Sequence, residues 1–243
     1  MKFLPLLFVP VLAAAAAAQA PLEKLFDSKL NATQRAGACF ELRGAKDDAT
    51  LAAMARAMED PGLLACAAEN LRMAGAVAQL KDALSSPNEQ VRAAAARSLG
   101  SFQSVDLLEP LSHAAQDENI LVATNALAAL SEYSGPAVIP YLAALAAKGG
   151  MIGDMAIDRL AVLDAPGALR IARSLLASSQ VPDKLYAMRI IGAGGDASDL
   201  PALKKIAASG QESLAQRNRG FGFMPPISLS RAAGTAIREI ESR

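Results

Sequence analysis

The chain has 243 residues, and its 24 basic and 24 acidic side chains cancel, so it offers no overall basic field of the kind a nucleic-acid partner selects. Hydrophobic residues make up 52% of it but aromatics only 4%, tryptophan is absent, and alanine, the strongest helix former, recurs throughout. That balance points to an all-α protein whose closely spaced helices meet through many small contacts.

In chain order, the first segment is MKFLPLLFVPVLAAAAAAQA, with one early cation (Lys2), an apolar run from Phe3 and small residues at its end. This is the layout of a secretory signal peptide. Ala16 and Ala18 supply the small side chains for cleavage after Ala18, so residues 1–18 are read as the signal. A cut after Ala20 would leave Pro21 at the new terminus and is disfavoured. The alternative is an uncleaved anchor, but the apolar stretch is about fifteen residues against the ~20 that span a bilayer. Removing Lys2 leaves the remainder at about −1, with no further apolar run long enough to span a membrane. No stable membrane insertion is expected after cleavage. Residues 19–30 form a lead-in.

From residue 31 the sequence repeats with a period of about thirty. Apolar residues at i, i+4 and i+8 recur as Leu63, Ala67, Leu71; Val91, Ala95, Leu99; Val122, Ala126, Leu130; and Ile152, Ala156, Leu160. Shorter versions are Ala38, Leu42 and Ala187, Ile191. A second column lies nine residues after each anchor leucine or isoleucine, at Leu51, Leu80, Leu108, Ile139, Leu169 and Leu200. Helix breaks are expected between the columns at Gly100, Gly135-Pro136, Pro166-Gly167 and Gly192 to Gly195. Others precede the first column at Asp60-Pro61, Ser86-Pro87 and Val181-Pro182. Each unit is therefore a pair of short antiparallel helices, and there are about six of them. A closing copy, Leu229, Ala233, Ile237, arrives 46 residues after Ile191, which leaves an inserted loop at about 209–227.

The string PNEQVRAAAARSLG (Pro87 to Gly100) resembles the HEAT repeat signature, especially the bacterial form found in bilin-lyase-type proteins. That signature has an Asp-Pro turn, Val-Arg, paired alanines and Leu-Gly. Its arginine position holds Arg35, Arg92 and Lys184 here, while Ala123 and Gly153 depart from it. The resemblance covers 31–243 and implies a right-handed α-solenoid, a superhelix of stacked antiparallel helix pairs with the first helix of each pair on the concave side. Residues six before each anchor (Ala36, Ala65, Ala93, Thr124, Asp154, Leu185) and two before it (Phe40, Glu69, Arg97, Ala128, Asp158, Arg189) would then face the groove. Charges of alternating sign cancel within a Debye length of about 8–10 Å, so such a groove suits a polypeptide rather than a polyanion. Alternatively, these residues are simply solvated.

In the right-handed stack that the resemblance implies, Cys39, one residue after Ala38, and Cys66, one before Ala67, sit on facing flanks of neighbouring first helices. Axes about 9–10 Å apart, a Cα radius of ~2.3 Å and a two-residue axial offset give a Cα separation near 6 Å, inside the disulfide window. A Cys39–Cys66 bond is expected, with two buried free thiols as the alternative. A metal is not expected, since the lone histidine lies elsewhere.

The inserted loop carries Arg217, Arg219, Phe221 and Phe223, cations beside aromatics. It either grips a partner or folds back to cap the stack. Signs of catalysis are weak. His113 has no nucleophile-base-orienter arrangement around it in the sequence. GAGGD (Gly192 to Asp196) lacks the lysine and hydroxyl of a phosphate loop and falls at an expected inter-helix turn. Asn31 fits a glycosylation acceptor but reads more simply as an N-cap.

The reading is a non-enzymatic protein-interaction scaffold or adaptor, periplasmic or secreted from a bacterium. It needs no cofactor and takes a protein or peptide partner. The alternatives are a bilin-lyase-like HEAT enzyme or accessory, and a structural envelope protein without a single partner.

Overall fold

Several helices of this chain begin where a short polar side chain can accept from the first free backbone amides. Asn31 Oδ1 accepts from Gln34 N at 2.9 Å while Gln34 Oε1 accepts from Asn31 N at 3.0 Å, a reciprocal capping box on the first repeat helix. Asp47, Asn88, Asp164 and Ser228 cap later helices through single side-chain acceptors. The chain, here a computed structural model, is described over residues 21–209, 212–213 and 227–243. The expected signal (1–18) lies outside the described residues, as do Arg217, Arg219, Phe221 and Phe223.

After a helical stretch at 21–25, thirteen α-helices follow among the described residues. They are α1 (Ala32–Glu41), α2 (Asp48–Ala57), α3 (Leu64–Ala74), α4 (Val77–Ala83), α5 (Glu89–Leu99), α6 (Leu108–Ala114) and α7 (Ile120–Ser131). Then come α8 (Ile139–Lys148), α9 (Gly150–Leu163), α10 (Ala165–Leu175), α11 (Val181–Gly194), α12 (Leu200–Ala208) and α13 (Leu229–Glu241). The odd-numbered helices from α1 to α11 open pairs, the even-numbered ones close them, and α13 ends the series. No described helix is long and apolar enough to cross a membrane.

Contacts divide the chain into two units, one up to Ala129 and one from Leu130 onward. In the first unit α3 touches α1 and α5, and α2 touches both α3 and α4. In the second, α11 packs on α9, α10 and α13, while α8 and α10 lie side by side. The first apolar column forms the core in both. Leu42, Ala67, Leu71, Ala95, Leu99, Ala126, Ala156, Leu160, Ala187 and Ile191 are all buried. Alanine at the centre of each column allows close helix approach, and the flanking leucines supply the apolar area.

The second column differs from expectation. Leu80 and Leu108 are buried, but Leu51, Ile139, Leu169 and Leu200 are only half-buried. The buried position comes three residues later in the pair-closing helices, at Met54, Leu111, Leu142, Ala172 and Leu203. Ile139 and Leu200 are the first residues of their helices, so the same face meets the core one turn further in.

Two expected breaks are helical as well. Pro166 and Gly167 lie in the first turn of α10, where a missing N–H costs nothing. Gly192 and Gly194 belong to α11, and the chain leaves the helix at Gly195. Gly192 is needed for space, because a Cβ there would come within 3.2 Å of Ala236 Cα on α13. The α11 end is closed by Arg243, whose guanidinium donates to the carbonyls of Gly192 (2.7 Å), Ala193 (3.1 Å) and Gly195 (2.8 Å). A cation at a helix C-terminus also suits the helix dipole.

The inserted segment is joined at its ends. Glu212–Ser213 (β1) pairs antiparallel with Ile227–Ser228 (β2), in the register Glu212 to Ser228 and Ser213 to Ile227.

Candidate functional site

In the first unit, the opening helices α3, α5 and α7 frame a groove of about 650 Å³. Its floor is alanine: Ala65, Ala68, Ala93 and Ala94. Glu69, Arg72, Gln90, Arg97 and Asn125 supply polar walls, and Leu121 stands at one side, 52% exposed. Small residues arise here because the repeat frame places alanines on successive turns of the opening helix.

Of the residues two before each anchor, Phe40 is 60% exposed, Arg97 and Ala128 are exposed and Glu69 is half-buried. The set six before the anchor is mixed. Ala36 and Thr124 are half-buried and Ala65 is exposed, whereas Ala93 is buried, with its carbonyl accepting from Asn125 Nδ2 on α7 at 3.2 Å.

The charges on this face are already partly matched. Arg72 grips Glu69 with two hydrogen bonds of 2.7 Å, and the Arg43 guanidinium lies 3.7 Å from the same carboxylate. Hydrogen bonding from Arg72 holds the Glu69 carboxyl below the usual glutamate range. Arg97 makes no ion pair among the described residues, which leaves it available to a partner.

The second unit carries the remaining candidates. Arg189 on α11 is ion-paired with Asp158 on α9, and its guanidinium sits 5.0 Å from the centre of the Tyr186 ring. Asp154, expected to face the groove, is 2% exposed, with Oδ1 buried and unpartnered. Burial, reinforced by the Asp183 and Asp158 carboxylates, pushes the Asp154 carboxyl up to about 6. Asp183 is also buried, but its oxygens are satisfied: Gly150 N donates to Oδ1 at 2.8 Å and Ser178 Oγ to Oδ2 at 2.5 Å. The Gly149-Gly150 turn has φ of +69° and +68°, and a Cβ on Gly149 would meet Asp183 Oδ2 at 2.6 Å. Asp154 and Asp183 line one cavity of about 290 Å³.

The structure contains the Cys39–Cys66 disulfide, with the Cα atoms 6.3 Å apart. It joins α1 to α3. Beside it, Asn70 Nδ2 donates to the Cys39 carbonyl at 2.8 Å, a second tie between the same helices. Sequence reasoning missed that asparagine, which lies one residue before an anchor.

A periodic turn device was missed too. Asp60, Ser86, Asp117 and Ser178 each accept from the amide two residues on, just ahead of an opening helix. The last three lie thirteen residues before an anchor, a spacing visible in the sequence. This also gives the signature arginine a role. Arg35 pairs with Asp60, and Arg92 with Asp117 through bonds of 2.7 and 3.0 Å, so each reaches the turn acceptor of a later repeat. Hydrogen bonding from Arg92 holds the Asp117 carboxyl below its ordinary value.

His113 is exposed near the end of α6. Among the described residues, no group of three or more His, Cys, Asp or Glu side chains gathers as a metal site.

Among curated proteins, none matches the sequence significantly. Solved structures with a similar course include human deoxyhypusine hydroxylase in complex with glycerol, at 18% identity, covering 96% of this chain and 100% of that one with a TM-score of 0.40. The CpcE–CpcF complex of phycocyanin lyase from Nostoc sp. PCC7120 is similar at 20% identity, with coverage of 100% and 98% and a TM-score of 0.43. A designed armadillo repeat protein follows at 16% identity, 92% and 99% coverage and a TM-score of 0.33. None of these likenesses bears on what the chain does. The family profile for HEAT repeats matches residues 77–150, from the start of α4 to the first residue of α9. That stretch, with its paired helices and the Arg92–Asp117 tie from helix to turn, carries HEAT repeats.

Proposed function

We propose that this protein is an exported, non-enzymatic scaffold that holds a polypeptide partner along the opening-helix face of its first unit. The observation that carries this reading is the alanine-floored groove across α3, α5 and α7, with Arg97, which makes no ion pair among the described residues, in its wall. Small side chains let a partner's backbone come close, while Gln90 and Arg97 offer hydrogen-bond donors to it. Phe40, exposed on α1 at the equivalent repeat position, adds an apolar contact.

Export is part of the same proposal. The leader's composition supports it, and so does the Cys39–Cys66 bond, since structural disulfides persist in oxidising compartments. The inserted loop, with Arg217, Arg219, Phe221 and Phe223, is a second contact in this reading.

An affinity capture from cell-envelope extract tests it, using the chain from residue 19 onward. Arg97→Glu is expected to lose a partner that the unaltered chain retains. Replacing 211–226 by a short linker is expected to weaken capture without abolishing it. A partner retained fully by Arg97→Glu would contradict the groove as the contact. Recovery of nothing by any version would contradict the scaffold reading and favour a structural envelope role.

A further inference from the structure

We propose that the cavity between α9 and α11 in the second unit receives one basic side chain, lysine or arginine, from a polypeptide partner. The inference rests on the scaffold reading for the source of the cation, but the cavity's chemistry stands independently of the groove in the first unit.

Asp154 is 2% exposed and lines this cavity with Oδ1 unpartnered. Nothing in the repeat frame asks for a carboxylate there. The equivalent positions in the preceding repeats hold Ala36, Ala65, Ala93 and Thr124. A buried carboxylate oxygen without a donor is costly, and one held in a native structure calls for an explanation such as a role in binding. Neighbouring groups do not complete this one. The oxygens of Asp183 are taken by Gly150 N and Ser178 Oγ, so Asp183 contributes a second negative charge but no donor. Arg189 is engaged by Asp158 and lies against Tyr186.

Size and lining decide among cations. About 290 Å³ is at the bottom of the range for small-molecule sites and suits one side chain rather than a cofactor. A divalent metal such as calcium needs six to eight oxygens, and the cavity's carboxylates are two, one of them already committed. Met151 (53% exposed), Pro182 and Tyr186 flank the carboxylates with apolar surface. They match the methylene stem of lysine or arginine, whose charged head would reach Asp154. Gln180 adds a neutral amide to the lining.

The test uses capped tripeptides, acetyl-Ala-Lys-Ala-amide and its arginine analogue, with norleucine as the uncharged isostere. They are titrated into isotopically labelled chain from residue 19 onward, to about 10 mM, since a lone side chain is expected to bind in the millimolar range. The lysine and arginine peptides should shift the amide resonances of Gly150, Met151 and Gln180, and norleucine should not. Asp154→Asn should weaken the shifts at least tenfold, while Glu109→Gln, on α6 in the other unit, leaves them unchanged. Circular dichroism confirms that Asp154→Asn is folded, and the lysine-norleucine comparison on the unaltered chain decides the matter if it is not.

Equal shifts with norleucine, no shift with either basic peptide, or full binding by folded Asp154→Asn would each overturn the proposal. Tighter binding of free putrescine than of the peptides would overturn a side chain as the source. Absent peptide binding with intact capture at Arg97 would remove this pocket and leave the scaffold. Peptide binding with no capture would leave the pocket and remove the groove.

Discussion

Asp154 is the residue whose environment most departs from what its type prefers. Its folded-state carboxyl is raised to about 6, so folding favours the neutral acid more than the free side chain does, while the group is ionised above that pH. The sign follows from linkage: the folded state is favoured at low pH, and stability falls as pH rises from the ordinary aspartate value of about 3.8 through about 6. Asp154→Asn is therefore expected to raise stability by about 1–3 kcal/mol at pH 7.5 and to change it little at pH 4. Urea unfolding at the two pH values checks this, and equal or lower stability at pH 7.5 would contradict it. The sequence showed that an acid stood at a repeat position held by small residues in the four preceding repeats. It did not show that the side chain is buried, because the Gly149-Gly150 turn and Asp183 come from segments that periodicity treats only as connections.

Among elements, the opening-helix column was legible because 3.6-residue periodicity brings every fourth residue to one face. The closing-helix column was displaced by a turn, since Ile139 and Leu200 begin helices whose start the apolar pattern alone did not mark. The arginine position was recognisable as part of a signature, while its partner in a later turn lay 25 residues away for both Arg35 and Arg92. Arg92 and Asp117 are about 15% exposed, and their bidentate pair locks a turn to the preceding repeat. Arg92→Ala is expected to cost about 1–3 kcal/mol at pH 7. The folded Asp117 carboxyl is lowered, so this stabilisation is full above the ordinary aspartate range and is lost as pH falls through the folded value. The difference between variant and parent should therefore narrow in acid, as chemical unfolding across that range would show. An unchanged gap would contradict the pair's role.

The disulfide acts at the same scale. It closes a separation of 27 residues, for which chain entropy gives about 3–4 kcal/mol. Replacing both cysteines by serine should lower stability by about that amount, measured by urea unfolding, with the greatest loss of hydrogen-exchange protection in α1 and α3. A loss under about 1 kcal/mol would mean that packing around Asn70 and Met54 already holds the two helices.

For the whole molecule, the repeat architecture was readable because the same side-chain sizes return about every thirty residues. The candidate surface was readable only in part. Phe40 and Arg97 are exposed as their repeat position suggests, but Glu69, Asp158 and Arg189 are bound by neighbouring side chains that a one-dimensional frame does not pair. That distinction concentrates the scaffold proposal on the groove of the first unit.

The most direct measurement is site-specific photo-crosslinking in the cell envelope. One version of the chain carries the photoreactive residue in place of exposed Leu121 on α7, at the side of the groove, and a second carries it in place of exposed Glu109 on α6. A discrete protein adduct from the Leu121 site and none from the Glu109 site is the predicted result. An adduct from Glu109 alone, or the same adduct from both, would contradict a partner held along the opening-helix face.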